Sequence, residues 1–145
     1  LTWGFTMITV LVSSDSRYEV NRDFIRSAVT SALAKNRIKS GRVEVGVSIV
    51  GDRKMQELNK TYREIDETTD VLSFPLEDVS PITAASIKKL PGFVRPLDKI
   101  LRLGDVVISY PQAVLEASEE EVSVESKLTD LLEHGVEHLL GIHHD

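Results

Sequence analysis

All four histidines of this 145-residue chain fall within its last twelve positions: His134, His138, His143 and His144. His134 and His138 stand four apart in a segment of helical periodicity. At about 3.6 residues per turn they are offset by only about 40°, so both imidazoles can aim at one point. Neutral imidazole is a good donor to a borderline divalent ion, above all Zn²⁺. A third donor must come from elsewhere, and Gly141 lets the chain turn back so that His143 or His144 can reach the ion. Three histidines leave a fourth place for water, which is the catalytic rather than the structural arrangement. The bland readings are surface decoration or a purification-tag remnant. Residues 135–137 and 139–142 interrupt the histidines within an amphipathic pattern, which speaks against a tag. The commonest zinc-hydrolase pattern, HExxH, has a glutamate directly after its first histidine. Here that place is Gly135, and Glu137 precedes His138 one step around the helix. A glutamate base of the metalloprotease type is not supplied, which argues against peptide hydrolysis.

Composition narrows the classes further. The chain is 41% hydrophobic and 28% charged, as an ordinary globular domain is, and its length suits a single domain over 1–145. With no cysteine it has no disulfide framework, thiolate zinc site or cysteine nucleophile. No stretch approaches the ~18 apolar residues of a membrane span. The opening LTWGFTMITVLV lacks the charged start and small-residue cleavage site of a secretion signal. Met7 is a candidate natural start, with Leu1 to Thr6 then an upstream extension. The net charge of −6 conceals a basic first half: residues 1–63 carry +5 and residues 64–145 carry −11. Such asymmetry fits a solvated surface and also keeps RNA binding open.

The elements that must position the histidines are legible in outline. Met7 to Val12 is apolar and β-branched, and reads as a strand. Asn21 caps a helix with Phe24, Ile25, Ala28, Val29, Ala32 and Leu33 on one face. Val43, Val45, Val47 and Ile49 alternate with polar or small residues as a one-sided strand. Asp52 is expected to cap a shorter helix through Met55, Leu58, Asn59 and Tyr62. Val71 to Phe74, closed by Pro75, and Asp105 to Ser109 read as two more strands, with a loop or lid over residues 77–101 holding a short helix near Ala84 to Leu90. Pro111 suits the first turn of the next helix. Ser123 caps the last one, over 124–140, with Gly141 as its left-handed stop. The order predicts an α+β domain with one mixed sheet of about four strands and helices packed on it.

Four ordered blocks then agree with a known family. His134-x3-His138-x5-His144, Leu58 to Arg63 (LNKTYR), Thr69 to Pro75 (TDVLSFP) and Leu103 to Ser109 (LGDVVIS) together resemble the YbeY endoribonucleases, the rRNA maturation factors, over roughly residues 43–144. The resemblance implies one Zn²⁺ in a zincin-like site on the last long helix, held by His134, His138 and His144. It implies a metal-dependent, single-strand-specific endoribonuclease that acts on the 3′ end of small-subunit rRNA and in ribosome quality control. Single-stranded RNA and the small ribosomal subunit would be its partners, with no DNA and no membrane, in a bacterial-type cytoplasm or an organelle. The sequence carries no signal for oligomeric state. Two residues depart from the pattern. His143 stands where the family has an aspartate, a place from which a ligand can be oriented, and it is a competing donor. Glu137 replaces an apolar residue and needs a basic partner or a place at the rim.

Within that resemblance Arg63 matches the functional arginine, suited to clamp the scissile phosphate and stabilise its added charge; its bland reading is an ion pair with Glu64 or Asp66. Ser73 can face the substrate groove or be an ordinary strand position. Asp70 can cap a turn or accept a ligand histidine's second N–H. Either a metal-bound water or the RNA 2′-hydroxyl can serve as nucleophile. Arg22, Arg26, Lys35, Arg37, Lys39, Arg42, Arg53 and Lys54 are a candidate RNA-tracking surface, and Trp3, Tyr18 and Tyr62 are candidate stacking partners. The alternatives are a zinc hydrolase of another substrate and a non-catalytic ribosome- or RNA-binding module.

Overall fold

The computed structural model describes residues 6–38, 41–76 and 100–142. Thr6–Ser14 forms β1, Arg22–Lys35 α1, Gly41–Val50 β2 and Asp52–Arg63 α2. Val71–Pro75 forms β3, Leu101–Ser109 β4, Tyr110–Glu120 α3 and Val124–Leu139 α4. The sheet order is β1-β2-β4-β3, parallel except for the antiparallel β3–β4 pair. This is the mixed four-stranded α+β domain expected. No described helix is long and apolar enough to cross a membrane.

The period-two pattern of β2 sends Val43, Val45, Val47 and Ile49 into the core on one face of the sheet. There they meet Ile25, Val29 and Leu33 of α1 and Leu128, Leu132, Val136 and Leu139 of α4. On the opposite face Met55 of α2 packs with Leu72 and Val107, beside Leu58 and Phe74. Successive residues of β3 therefore serve two layers, as strand geometry requires. β4 starts at Leu101, four residues before the segment expected from the sequence. Its register against β2 shifts after Glu44↔Arg102 to Val45↔Gly104, and Gly104 takes φ 131°. A side chain there would be strained, and a Cβ would come 2.2 Å from the Phe74 carbonyl oxygen. The bulge hides the strand's start from a period-two reading. The loop or lid and its short helix lie outside the described residues, apart from Ile100 and Leu101.

Helix ends follow local chemistry. The Asn21 side chain accepts from Phe24 N–H, Ser123 from Ser126 N–H, and Ser109 from Gln112 N–H. Gly141, at φ 80°, closes α4: its N–H donates to His138 C=O and that of Ile142 to Glu137 C=O, the paired bonds of a Schellman stop. Asp52 departs from expectation. Gly51 is the cap residue of α2, with no side-chain bond, and Asp52 lies just inside the helix. Its carboxylate is drawn away by tertiary donors: the hydroxyls of Thr68 (2.9 Å) and Ser109 (2.8 Å), and the Gln112 amide (3.2 Å). It ties α2 to the end of β4, the start of α3 and the segment before β3.

Asp52→Ala would leave the buried Ser109 hydroxyl without its acceptor. The expected loss is about 1–3 kcal/mol, read as a lower urea midpoint with an unchanged m value.

Candidate functional site

One groove, of about 630 Å³, brings the candidate residues together. Arg63 enters it from the end of α2, Asp70 and Ser73 from around β3, and His134 and His138 from α4. Its position follows from a close approach. A Cβ at Gly135 would lie 2.5 Å from Cγ1 of Val106, so only glycine lets α4 ride this low on β4. The histidines on either side of that contact point are exposed, while Leu131, Val136 and Leu139 are buried. Periodicity sorts the helix into faces: His134 and His138 turn to β3, whereas Glu133 turns to α1 and meets Lys35 Nζ at 2.9 Å. Glu137 adds its charge to those that hold Lys35 above its ordinary pKa, after Glu133. Glu137 thus lies within electrostatic reach of Lys35 on the α1 side of the helix.

Each resemblance block has a mechanical job here. In α2, Leu58 packs against Met55's cluster, Tyr62 meets Phe74 edge-on at 5.0 Å, and buried Asn59 donates from Nδ2 to Glu67 C=O at 2.9 Å. Among the described residues the buried Asn59 Oδ1 meets no hydrogen-bond partner. Glu64 takes the left-handed conformation (φ 60°), which ends the helix directly after Arg63. No ion pair among the described residues engages Arg63: Asp66, its expected bland partner, bonds Gln56 and pairs with Lys60 instead. In the next block, the Asp70 carboxylate accepts the N–H of Val71 at 2.7 Å, a turn-capping bond, and the Ser73 hydroxyl donates to the Gly135 carbonyl at 3.1 Å.

Two residues absent from the sequence reading border this region. Lys127, only 12% exposed, bonds Glu116 (3.1 Å) and Glu120 (2.7 Å) across α3 and α4. It lies seven and eleven residues before the histidines, so the same helical spacing could have flagged it. Burial pushes the Glu116 carboxyl above the ordinary 4.5, and the adjoining Asp70 carboxyl reinforces this against the pull of Lys127.

Two neutral nitrogen donors on one helical face suit a borderline divalent ion, and the helix C-terminus there favours a cation. Among the described residues no group of three His, Cys, Asp or Glu forms a metal-binding set. His143 and His144, expected as an orienting or competing group and as the third ligand, lie outside the described residues, as do Lys39 and Trp3. Arg26 pairs with Asp23 and Lys35 with Glu133, and no described member of the proposed basic surface lines the groove. Tyr18 stacks on Tyr110 at 5.0 Å, and it too is absent from the groove lining.

Residues 11–145 match the family model for endoribonuclease YbeY. The chain is 38% identical over 137 residues to Endoribonuclease YbeY of Dehalococcoides mccartyi, covering 94% of this chain and 83% of that one. It is 43% identical over 117 residues to the protein of the same name from Moorella thermoacetica, covering 81% and 70%. The solution structure of TM1509 from Thermotoga maritima is similar in fold, with a TM-score of 0.57 at 21% identity, covering 94% of this chain and 75% of that one.

Gly135→Ala tests the close approach. Alanine normally gains about 1 kcal/mol over glycine in a helix interior. Here thermal unfolding should instead show a net loss of about 1–3 kcal/mol from overpacking against Val106. The Glu116 carboxyl supplies a second check. With its folded pKa raised, its contribution is present below 4.5 and is lost as pH rises through the raised value. The melting temperature should therefore decline more steeply across that window in the wild type than in Glu116→Gln.

Proposed function

The chain belongs to the YbeY endoribonuclease family, and from that premise we propose that it is a zinc-dependent, single-strand-specific endoribonuclease that matures the 3′ end of small-subunit rRNA and serves ribosome quality control. The observation that carries this reading is the meeting of two imidazoles and the Arg63 guanidinium in one groove.

Arg63 is the phosphate clamp. Its planar fork can meet two phosphate oxygens at once, and its charge offsets the negative charge that builds on them during cleavage. Asp66 is occupied by Gln56 and Lys60, so among the described residues no ion pair neutralises the cation. His134 and His138 offer two ring nitrogens to one zinc ion, with His144 as the proposed third donor. When bound, the ion supplies Lewis-acid polarisation of a phosphoryl oxygen or of water. Gly135 keeps the imidazoles over the edge of β3, while Lys35 holds the carboxylate of Glu133 on the far side of α4. A phosphate therefore approaches the groove without meeting that acid. The exposed Tyr62 beside Arg63 is the stacking platform for a flanking base.

Metal content and cleavage should be measured together, on a single-stranded fragment from the 3′ end of small-subunit rRNA. Wild type should carry one equivalent of zinc and cut. His138→Ala should lose the zinc. Arg63→Ala should keep it and cut about 10²–10³-fold more slowly. A wild type that is zinc-free and leaves the RNA intact would overturn the proposal.

A further inference from the structure

We infer that the main-chain N–H of Ser73 is a phosphate-binding donor of the groove, gripping a non-bridging oxygen of the RNA strand across from Arg63. The inference rests on the endoribonuclease reading and deepens it.

Among the described residues β3 is an edge strand, paired on one side only. In an antiparallel pair only alternate residues turn their main-chain groups to the neighbour. Two flanking bonds fix the phase: Ser109 N–H to Asp70 C=O at 2.9 Å, and Leu76 N–H to Leu103 C=O at 3.1 Å. Both continue the alternation of Leu72↔Val107 and Phe74↔Asp105. Residues 71, 73 and 75 therefore turn their main-chain groups away from β4. Val71 N–H is already taken by the Asp70 carboxylate at 2.7 Å, which agrees with that phase. Pro75 has no N–H to offer. Of the three outward positions only Ser73 keeps a donor, and Ser73 lines the groove with Arg63, His134 and His138.

The surroundings favour an anion at this donor. An incoming peptide strand would need a run of outward donors, and β3 presents one. A phosphate oxygen needs only one, and a main-chain amide on a sheet is a rigid, pre-aimed dipole. The Ser73 hydroxyl does not compete, because it donates to the Gly135 carbonyl at 3.1 Å. That bond also ties the amide's position to the helix that carries the two imidazoles. The role thus moves from the side chain of Ser73 to its backbone.

Ser73→Ala and Ser73→Pro separate the two. Proline is tolerated on an edge strand where its nitrogen faces outward. Cleavage of the single-stranded RNA fragment, zinc content and melting temperature should be read on both. Ser73→Ala keeps the N–H and loses only the bond to the Gly135 carbonyl, so its cleavage should exceed that of Ser73→Pro by about tenfold or more. Ser73→Pro should keep its zinc and fold but lose about 10²-fold in kcat/KM, the effect of removing one fixed oxyanion donor. A folded, zinc-loaded Ser73→Pro that cuts like wild type overturns the inference and leaves the endoribonuclease reading standing. Should Ser73→Pro fail to fold, an ester in place of the amide at position 73 removes the N–H alone. Undiminished cleavage by that ester overturns the inference, and a matching loss supports it. If wild type itself leaves the RNA uncut, the endoribonuclease reading fails and takes this inference with it.

Discussion

The contact between Gly135 and Val106 governs the geometry of this molecule. With 2.5 Å between a notional Cβ and the valine methyl, α4 sits as close to β4 as its backbone allows. Glycine in a helix interior costs about 1 kcal/mol of propensity. The cost is offset by the apolar face that the approach lets α4 bury, from Leu128 to Leu139. The same approach puts the Gly135 carbonyl within reach of Ser73 and hangs two imidazoles beside the edge strand. One absent methyl group thus links core packing to site geometry.

Charge is sorted around that contact. Glu133 is held by Lys35 on α1. Glu116 and Glu120 are held by nearly buried Lys127 between α3 and α4. Asp66 is held near α2 by Gln56 and Lys60. Asp66, the acid expected to pair with Arg63, and Glu133, which precedes His134, are thus each engaged elsewhere. Most of these pairs are exposed and contribute little to stability. Their consequence lies in what lines the groove: a guanidinium and two imidazoles, with Asp70 as its carboxylate.

The segment joining α2 to β3 shows how backbone accounting places the arginine. Asn59 bonds Glu67 C=O, Asp52 accepts from Thr68, and Ile65 N–H returns to Asn59 C=O. These bonds fold residues 64–70 tightly against the helix they follow. Arg63, which ends the helix, and Asp70, which precedes the strand, line one groove seven residues apart in sequence.

How much of this was legible beforehand depended on the range of the forces involved. Helix and strand identities, the caps at Asn21 and Ser123, and the stop at Gly141 are set by neighbours within four residues, so the sequence determined them. The i, i+4 spacing of His134 and His138 likewise placed both on one helical face without any knowledge of the sheet. Long-range competition decided the rest. Asp52 reads as a cap until Ser109, Thr68 and Gln112, far along the chain, claim its carboxylate. Gly135 reads as a gap in a zinc motif until Val106 shows why no side chain fits. Ser73 reads as a hydroxyl facing substrate until the Gly135 carbonyl takes it and β4's register turns the amide outward. Local patterns could name the groups capable of chemistry, but only packing decided which of them meet at the groove.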